Sequence, residues 1–245
     1  MQGSVSFCLR IAELVFSVQG SDTARALCRD YEVREGEAAC SIDLSPEAID
    51  AERALLRRKN DPGADSPEEV IEALALCRAL AEYLPFQDRV LFHGSSLAID
   101  GKGVLFTAKS GTGKSTHTRL WREVFGDRVV MVNDDKPFLH IAPEGATVYG
   151  TPWRGKHRLG SNISAPLKAI CIVCRGEENR MERVTPRAAL PVLLQQTYMP
   201  EDPRMLQRTV ALADRLSRTV PIYKLYCNMD PEAAVVAYGG LNLEE

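Results

Sequence analysis

Net charge and long apolar runs are both scarce in this chain. Its 30 Lys and Arg residues against 33 Asp and Glu leave a formal net charge of -3. With the two signs so nearly balanced there is no general attraction to a polyanion, so nucleic acid is a poor default partner. No segment approaches the roughly 18 to 20 apolar residues needed to span a bilayer, and no membrane partner is expected. The first 20 residues lack a basic start, and Arg10 and Glu13 interrupt their apolar positions, which argues against a secretory signal. The expected location is cytoplasmic. Internal repeats and low-complexity tracts are missing too. The 7 cysteines form an odd, scattered set that suits reduced thiols better than a disulfide framework. Cys171 and Cys174 make a C-x-x-C, but it lies inside the apolar run AICIVC without a second pair, so a buried strand is expected there and not a metal or redox site.

What is present is an ordinary globular composition, 45% hydrophobic and 26% charged, with enough length for one large domain or a domain with an appendage. The first part, residues 1–87, reads as a small α+β region: strand-like runs at 11–18 and 39–44, then two helices. Helix starts share one chemistry. Ser45-Pro46, Ser66-Pro67, Thr185-Pro186 and Asp230-Pro231 each set a capping oxygen before a proline whose missing N-H costs nothing at the first helical position. From residue 88 to 245 the texture changes to short apolar strands at 90–99, 104–107, 129–132, 138–141, 147–149 and 167–174. Helices are expected at 114–124, 186–197, 202–218 and 231–238, with a strand at 221–227. Asp100-Gly101-Lys102-Gly103 is a hairpin-type turn, which makes the first two of these strands antiparallel and the sheet mixed.

The strand at 104–107 runs into Ala108-Lys109-Ser110-Gly111-Thr112-Gly113-Lys114-Ser115-Thr116 and then a helix, the context a phosphate loop requires. Gly111 and Gly113 let backbone amides converge on a phosphate, and the helix N-terminus adds favourable partial charge. Lys114 is placed to reach the β- and γ-phosphates of ATP, and the Ser115 hydroxyl to ligate Mg²⁺. Ala108 replaces the first glycine of the usual pattern, which a residue of negative φ tolerates. Asp134 lies 20 residues past Lys114 at the end of the apolar run VVMV and is followed by Asp135. Carboxylates emerging there suit Mg²⁺ binding, for which Asp134 is the candidate, and acceptance of a hydroxyl proton; which carboxylate does which stays open.

His93-Gly94-Ser95, the hairpin, the glycine-rich loop and the Asp pair together resemble the catalytic core of HPr kinase/phosphorylase. They are also similar to the nucleotide core of ATP-dependent phosphoenolpyruvate carboxykinase. The resemblance spans roughly residues 88 to 175 and implies an α/β fold with a P-loop-containing mixed sheet. It places His93 beside the reacting phosphate and, through the segment Trp153-Arg154-Gly155, makes Arg154 a clamp on transferring phosphate oxygens. The activity implied is an ATP- and Mg²⁺-dependent kinase acting on a serine-like hydroxyl of a protein, peptide or small molecule. That kinase family oligomerises through this core, so a homo-oligomer is implied as well. Alternatives are a nucleotide-responsive binding module and a carboxykinase-like enzyme.

Overall fold

In the computed structural model, which describes residues 4–109, 111–241 and 243, the chain divides into two units, residues 1–83 and 84–245. The first unit holds β1 (Val5–Ile11), β2 (Leu14–Gly20), α1 (Asp22–Leu27), β3 (Glu32–Val33), β4 (Cys40–Asp43), α2 (Pro46–Arg58) and α3 (Glu68–Tyr83). Its four strands lie in the order β3-β1-β2-β4. Leu9, Ile11, Phe16, Val18 and Ile42 alternate inward along the strands, and Leu56, Ile71, Leu76 and Leu80 are buried on the helices. The caps behave as their chemistry requires at α2, where the Ser45 hydroxyl accepts from the Ala48 N-H ahead of Pro46. A single strand over 11–18 is not found. The chain reverses at Ala12 and Glu13, both at positive φ (50° and 67°), so the run is two antiparallel strands with Ile11 opposite Leu14. Such a turn is normally written with Asn or Gly, and neither residue marks it here.

The second unit contains β5 (Arg89–Leu91), β6 (Ser95–Ile99), β7 (Lys102–Thr107), α4 (Lys114–Phe125), β8 (Val129–Asn133), β9 (Phe138–Ala142), β10 (Gly145–Tyr149), β11 (Ser164–Arg175), β12 (Arg180–Arg183), α5 (Pro186–Gln196), α6 (Pro203–Thr219), β13 (Ile222–Cys227) and α7 (Glu232–Gly240). The sheet is mixed. β7, β11 and β13 are mutually parallel neighbours, whereas β6 runs antiparallel between β7 and β8. β10, β9 and β5 extend the sheet beyond the first residues of β11 by antiparallel pairing. A register shift between Leu167 and Ala169 lets the 12-residue β11 serve both parts, since a bulge bends the strand that carries it. Among the described residues no helix is long and apolar enough to cross a membrane.

Alternation along the central strands supplies two cores. Val104, Phe106, Ala169, Cys171, Val173 and Leu225 face one way, with Leu120 and Trp121 of α4 and Ala233, Ala234 and Ala237 of α7 in the same cluster. Leu105, Ile170, Ile172 and Ile222 face the other way and share a cluster with Ala189 and Leu193 of α5 and Leu212 and Leu216 of α6. A strand covered on both faces reads as a continuous apolar run, as AICIVC does. Spacing of three residues also sends Cys171 and Cys174 to opposite faces, so the C-x-x-C cannot close on one ion. Burial pushes both thiols up.

α4 is anchored by an aromatic cluster in which His117 lies edge-on to Phe106 and accepts a 2.9 Å hydrogen bond from the Trp121 indole on Nε2. The imidazole is buried, and burial lowers its pKa to about 4. As pH falls, the unfolded chain therefore takes up this proton first, and stability is lost between about pH 6.5 and pH 4. At pH 4 the loss from this residue is roughly 3 kcal/mol relative to pH 7. His117→Phe is expected to flatten the fall of melting temperature across that window; an unchanged slope in a pH series of thermal melts would place the acid sensitivity elsewhere.

Candidate functional site

The strand directions bring separate segments to one edge of the sheet. Because β6 opposes both β7 and β8, its first residues meet the last residues of those two strands. β11 and β13, parallel to β7, end on the same side. Ligands in α/β sheets bind outside the carboxyl ends of strands, where loops diverge. At this edge lie the glycine-rich turn after β7, the Asp134-Asp135 pair after β8 and the His93-Gly94 segment before β6.

Gly94 is required there. A Cβ would stand 2.9 Å from the Phe106 carbonyl oxygen and from Leu105, and Gly94 lies where the run 90–99 passes from β5, paired with β9, to β6, paired with β7 and β8. The glycine-rich turn uses its glycines for backbone conformation: Gly111 has φ of 75° and Gly113, which caps α4, has φ of 124°. Ala108 is buried and is not among the positive-φ residues, as an alanine in that place needs. Ser110 lies outside the described residues. The Lys114 ammonium donates to the Ala108 carbonyl at 3.1 Å, closing the turn on itself. Burial lowers its pKa, opposed by the charges of Asp135 and Asp134.

Asp134 and Asp135 differ sharply in setting. Asn133 makes the turn that releases them: its side-chain oxygen accepts from the Asp135 and Lys136 N-H groups, and its amide donates to Thr151. Asp134 is 7% exposed, and its Oδ1 accepts a 2.6 Å hydrogen bond from the buried Ser95 hydroxyl. Thr118 lies 3.3 Å from Ser95 and donates to the Ser115 carbonyl, so the first turn of α4 and the carboxylate are braced together. Asp135 is the more open carboxylate, 28% exposed, with the Lys136 ammonium at 3.5 Å and His93 Nε2 at 3.6 Å. Burial, followed by the Lys114 charge, holds His93 below the usual imidazole value against the opposing pull of Asp135.

Two cavities flank the turn and share Gly111, Gly113 and Thr116. The first, about 370 Å³, is lined by His93, Lys114, Ser115, Asp134, Asp135, Gly155, Lys156 and His157. Arg154 is not among its lining residues. Trp153 is buried and stacked on Phe138, and the chain turns at Gly155 (φ 66°), where a Cβ would meet Asp135 at 2.9 Å. The residues after that turn, Lys156 and His157, are the ones delivered to the cavity. The second, about 450 Å³, is lined by Thr112 and His117 and by the ends of β11 and β13, including Cys174, Arg175, Cys227, Asn228 and Met229. Arg175 donates to the Gly111 carbonyl at 2.8 Å. Sequence reasoning missed Ser95, Thr118 and Arg175 as parts of this edge. Arg175 ends an apolar run with no motif around it, whereas Ser95 stood in the His93-Gly94-Ser95 segment without an assigned role.

Among the described residues no group of three or more His, Cys, Asp and Glu side chains is gathered to hold a metal. A cation at Ser115 and Asp134 would therefore draw its other ligands from water and from bound phosphate oxygens, the usual habit of Mg²⁺.

The fold is thus a mixed α/β sheet with a glycine-rich turn, a lysine and paired carboxylates at its carboxyl edge. The chain belongs to the family described as SynChlorMet cassette protein ScmC, whose model matches residues 60–232. No curated protein matches it. Among solved structures, the HPr(Ser) kinase/phosphatase from Coxiella burnetii is similar over 61% of this chain and 89% of its own, at 12% identity and a TM-score of 0.36.

Ser95→Ala removes the hydroxyl that satisfies a buried carboxylate oxygen. The expected cost is about 1 to 3 kcal/mol, read as a lower urea midpoint at unchanged slope; an unmoved midpoint would show that Asp134 does not depend on this contact.

Proposed function

We propose that the protein is an ATP- and Mg²⁺-dependent kinase that transfers the γ-phosphoryl group to a serine-like hydroxyl. The observation that carries this reading is the convergence, in one cavity, of Lys114, Ser115, Asp134 and Asp135 at the end of a glycine-rich turn. The donor set fits the groups it would hold. Gly111 and Gly113 leave the turn without Cβ atoms facing it, since an added Cβ at either meets nothing within 4 Å. The helix N-terminus and the ammonium supply positive charge for phosphate oxygens, and a hydroxyl and a carboxylate supply hard oxygens for Mg²⁺.

In this reading Lys114 and the turn amides position the β- and γ-phosphates, with Ala108, Lys109, Ser110, Thr112 and Thr116 completing the nucleotide site. Ser115 and Asp134 hold the cation, which neutralises charge on the phosphate oxygens when bound. Asp134 suits this role because Ser95 occupies one of its oxygens and fixes the plane of the other. Asp135, open to the cavity, takes the proton of the acceptor hydroxyl as that oxygen forms its bond to phosphorus and the bond to the leaving ADP oxygen breaks. Lys156 takes the phosphate-oxygen contact that the family resemblance implied for Arg154, since it is the residue lining the cavity. The cavity beyond the turn, between the ends of β11 and β13, has room for the nucleoside. A largely apolar wall with a few polar groups suits such a ligand. The acceptor would then enter past Gly155 to His157.

Addition of ATP·Mg²⁺ at about 100 times its dissociation constant is expected to stabilise the wild type by roughly 2.7 kcal/mol. Lys114→Ala should abolish the corresponding rise in melting temperature; a shift that persists would overturn the nucleotide site. Asp135→Asn should keep the ATP-induced shift and lose about 100-fold or more in transfer of labelled phosphate to hydroxyl-bearing peptides and metabolites. Equal turnover in the variant would remove Asp135 as base. Nucleotide in the second cavity should slow alkylation of Cys174 several-fold, followed by peptide mass spectrometry; equal rates with and without ATP would send the nucleoside elsewhere.

A further inference from the structure

We propose that Gln196, the last residue of α5, is a positioning residue that holds the His93 imidazole with its proton on Nδ1 and turns a bare Nε2 toward Asp135. The effect on turnover rests on the kinase reading above, whereas the tautomer is a property of the folded chain alone.

The two residues are far apart in sequence and tied together by more than one bond. The His93 N-H donates to the Gln196 carbonyl at 2.7 Å, Phe92 and Thr197 form an antiparallel bridge, and the Tyr198 N-H donates to the Leu91 carbonyl at 2.9 Å. The segment that ends α5 is thus stitched alongside the segment that carries His93. Within that frame Gln196, 7% exposed, sets its Oε1 3.0 Å from His93 Nδ1. With its amide oxygen so placed, Gln196 accepts, and the tautomer that matches it carries the proton on Nδ1. Burial and the neighbouring Lys114 charge disfavour a second proton on the ring. Nε2 is left with its lone pair.

That lone pair faces Asp135 Oδ1 at 3.6 Å. Two acceptors set this close repel unless they share a donor. His93 and Asp135 both line the phosphate cavity, so together they present a pair of acceptors that the proton of one O-H group can bridge from the side, and this pair orients the hydroxyl that the proposed base deprotonates. The other tautomer would undo this. With its proton on Nε2, His93 would donate to Asp135, occupy the carboxylate and leave no place for the substrate proton. Which ring nitrogen is protonated is set by the partner of the other one, and here that partner is Gln196.

Long-range ¹H–¹⁵N spectra of histidine-labelled protein read the tautomer directly, with the His93 signals assigned by their loss in His93→Gln. The wild type is expected to show the Nδ1-H form. Gln196→Leu should shift His93 toward the Nε2-H form and lower kcat by about 10- to 100-fold, with KM for ATP and the ATP-induced melting shift within twofold of wild type. Gln196→Glu keeps an acceptor oxygen and should keep the proton on Nδ1, but its charge favours a second proton on Nε2, so the Nδ1-H form and most of kcat should return only as pH rises above the raised imidazole pKa. A wild-type His93 protonated on Nε2, or a tautomer that Gln196→Leu leaves unchanged, would overturn the proposal. A wild type that shows the Nδ1-H form and its dependence on Gln196, yet transfers no phosphate to any hydroxyl, would support the positioning and overturn the kinase reading.

Discussion

The buried hydrogen bond from Ser95 to Asp134 joins the start of β6 to the loop after β8, and the arrangement of the whole carboxyl edge depends on the strand order that permits it. A strand running antiparallel between two parallel ones is what brings His93, Gly94 and Ser95 to the same end as the glycine-rich turn and the Asp pair. Had β6 been parallel, its first residues would lie at the far end of the sheet. A carboxylate that is 7% exposed also needs its donors in place before it can be buried at modest cost. The Ser95 hydroxyl therefore serves both the stability of the edge and the direction in which Asp134 points.

Around that contact the edge is held by polar groups with defined partners. Asn133 uses its oxygen for the turn and its amide for Thr151, so the two carboxylates that follow leave the strand in fixed and different directions. Gly155 and Gly160 let the 150–163 segment lie against them: the Asp134 N-H donates to the Leu159 carbonyl, and Gly160 bridges to Asn133. His117, by contrast, sits at the foot of the same helix that carries Lys114 and reaches the wall of the second cavity, yet it is buried, neutral and packed between Phe106 and Trp121. Proximity to the glycine-rich turn does not make a residue part of the chemistry; access and partners do.

Local readings succeeded where the physics is local. Serine or threonine before proline starts α2 and α5, Asp100-Gly101 turns β6 into β7, and glycines at 111 and 113 take positive φ where the strand passes into α4. They failed where local chemistry was silent. Ala12 and Glu13 form a tight reversal without glycine or asparagine, and the apolar run 90–99 is split where the chain leaves the β9 pairing for β7 and β8. Arg154 and Lys156 are two residues apart, and only the direction of the turn at Gly155 decides which of them lines the cavity.

The sequence by itself determined the strand, turn and helix from 104 to 124, the mixed character of the sheet and the presence of two adjacent carboxylates, because propensity, turn chemistry and spacing act over a few residues. Only the tertiary structure decided which carboxylate is braced and which is open, that Arg175 reaches Gly111, and that Gln196 holds His93 from 103 positions away. Those relations depend on strand order and helix packing, which bring distant segments to one edge, and no short-range pattern encodes the distance between them.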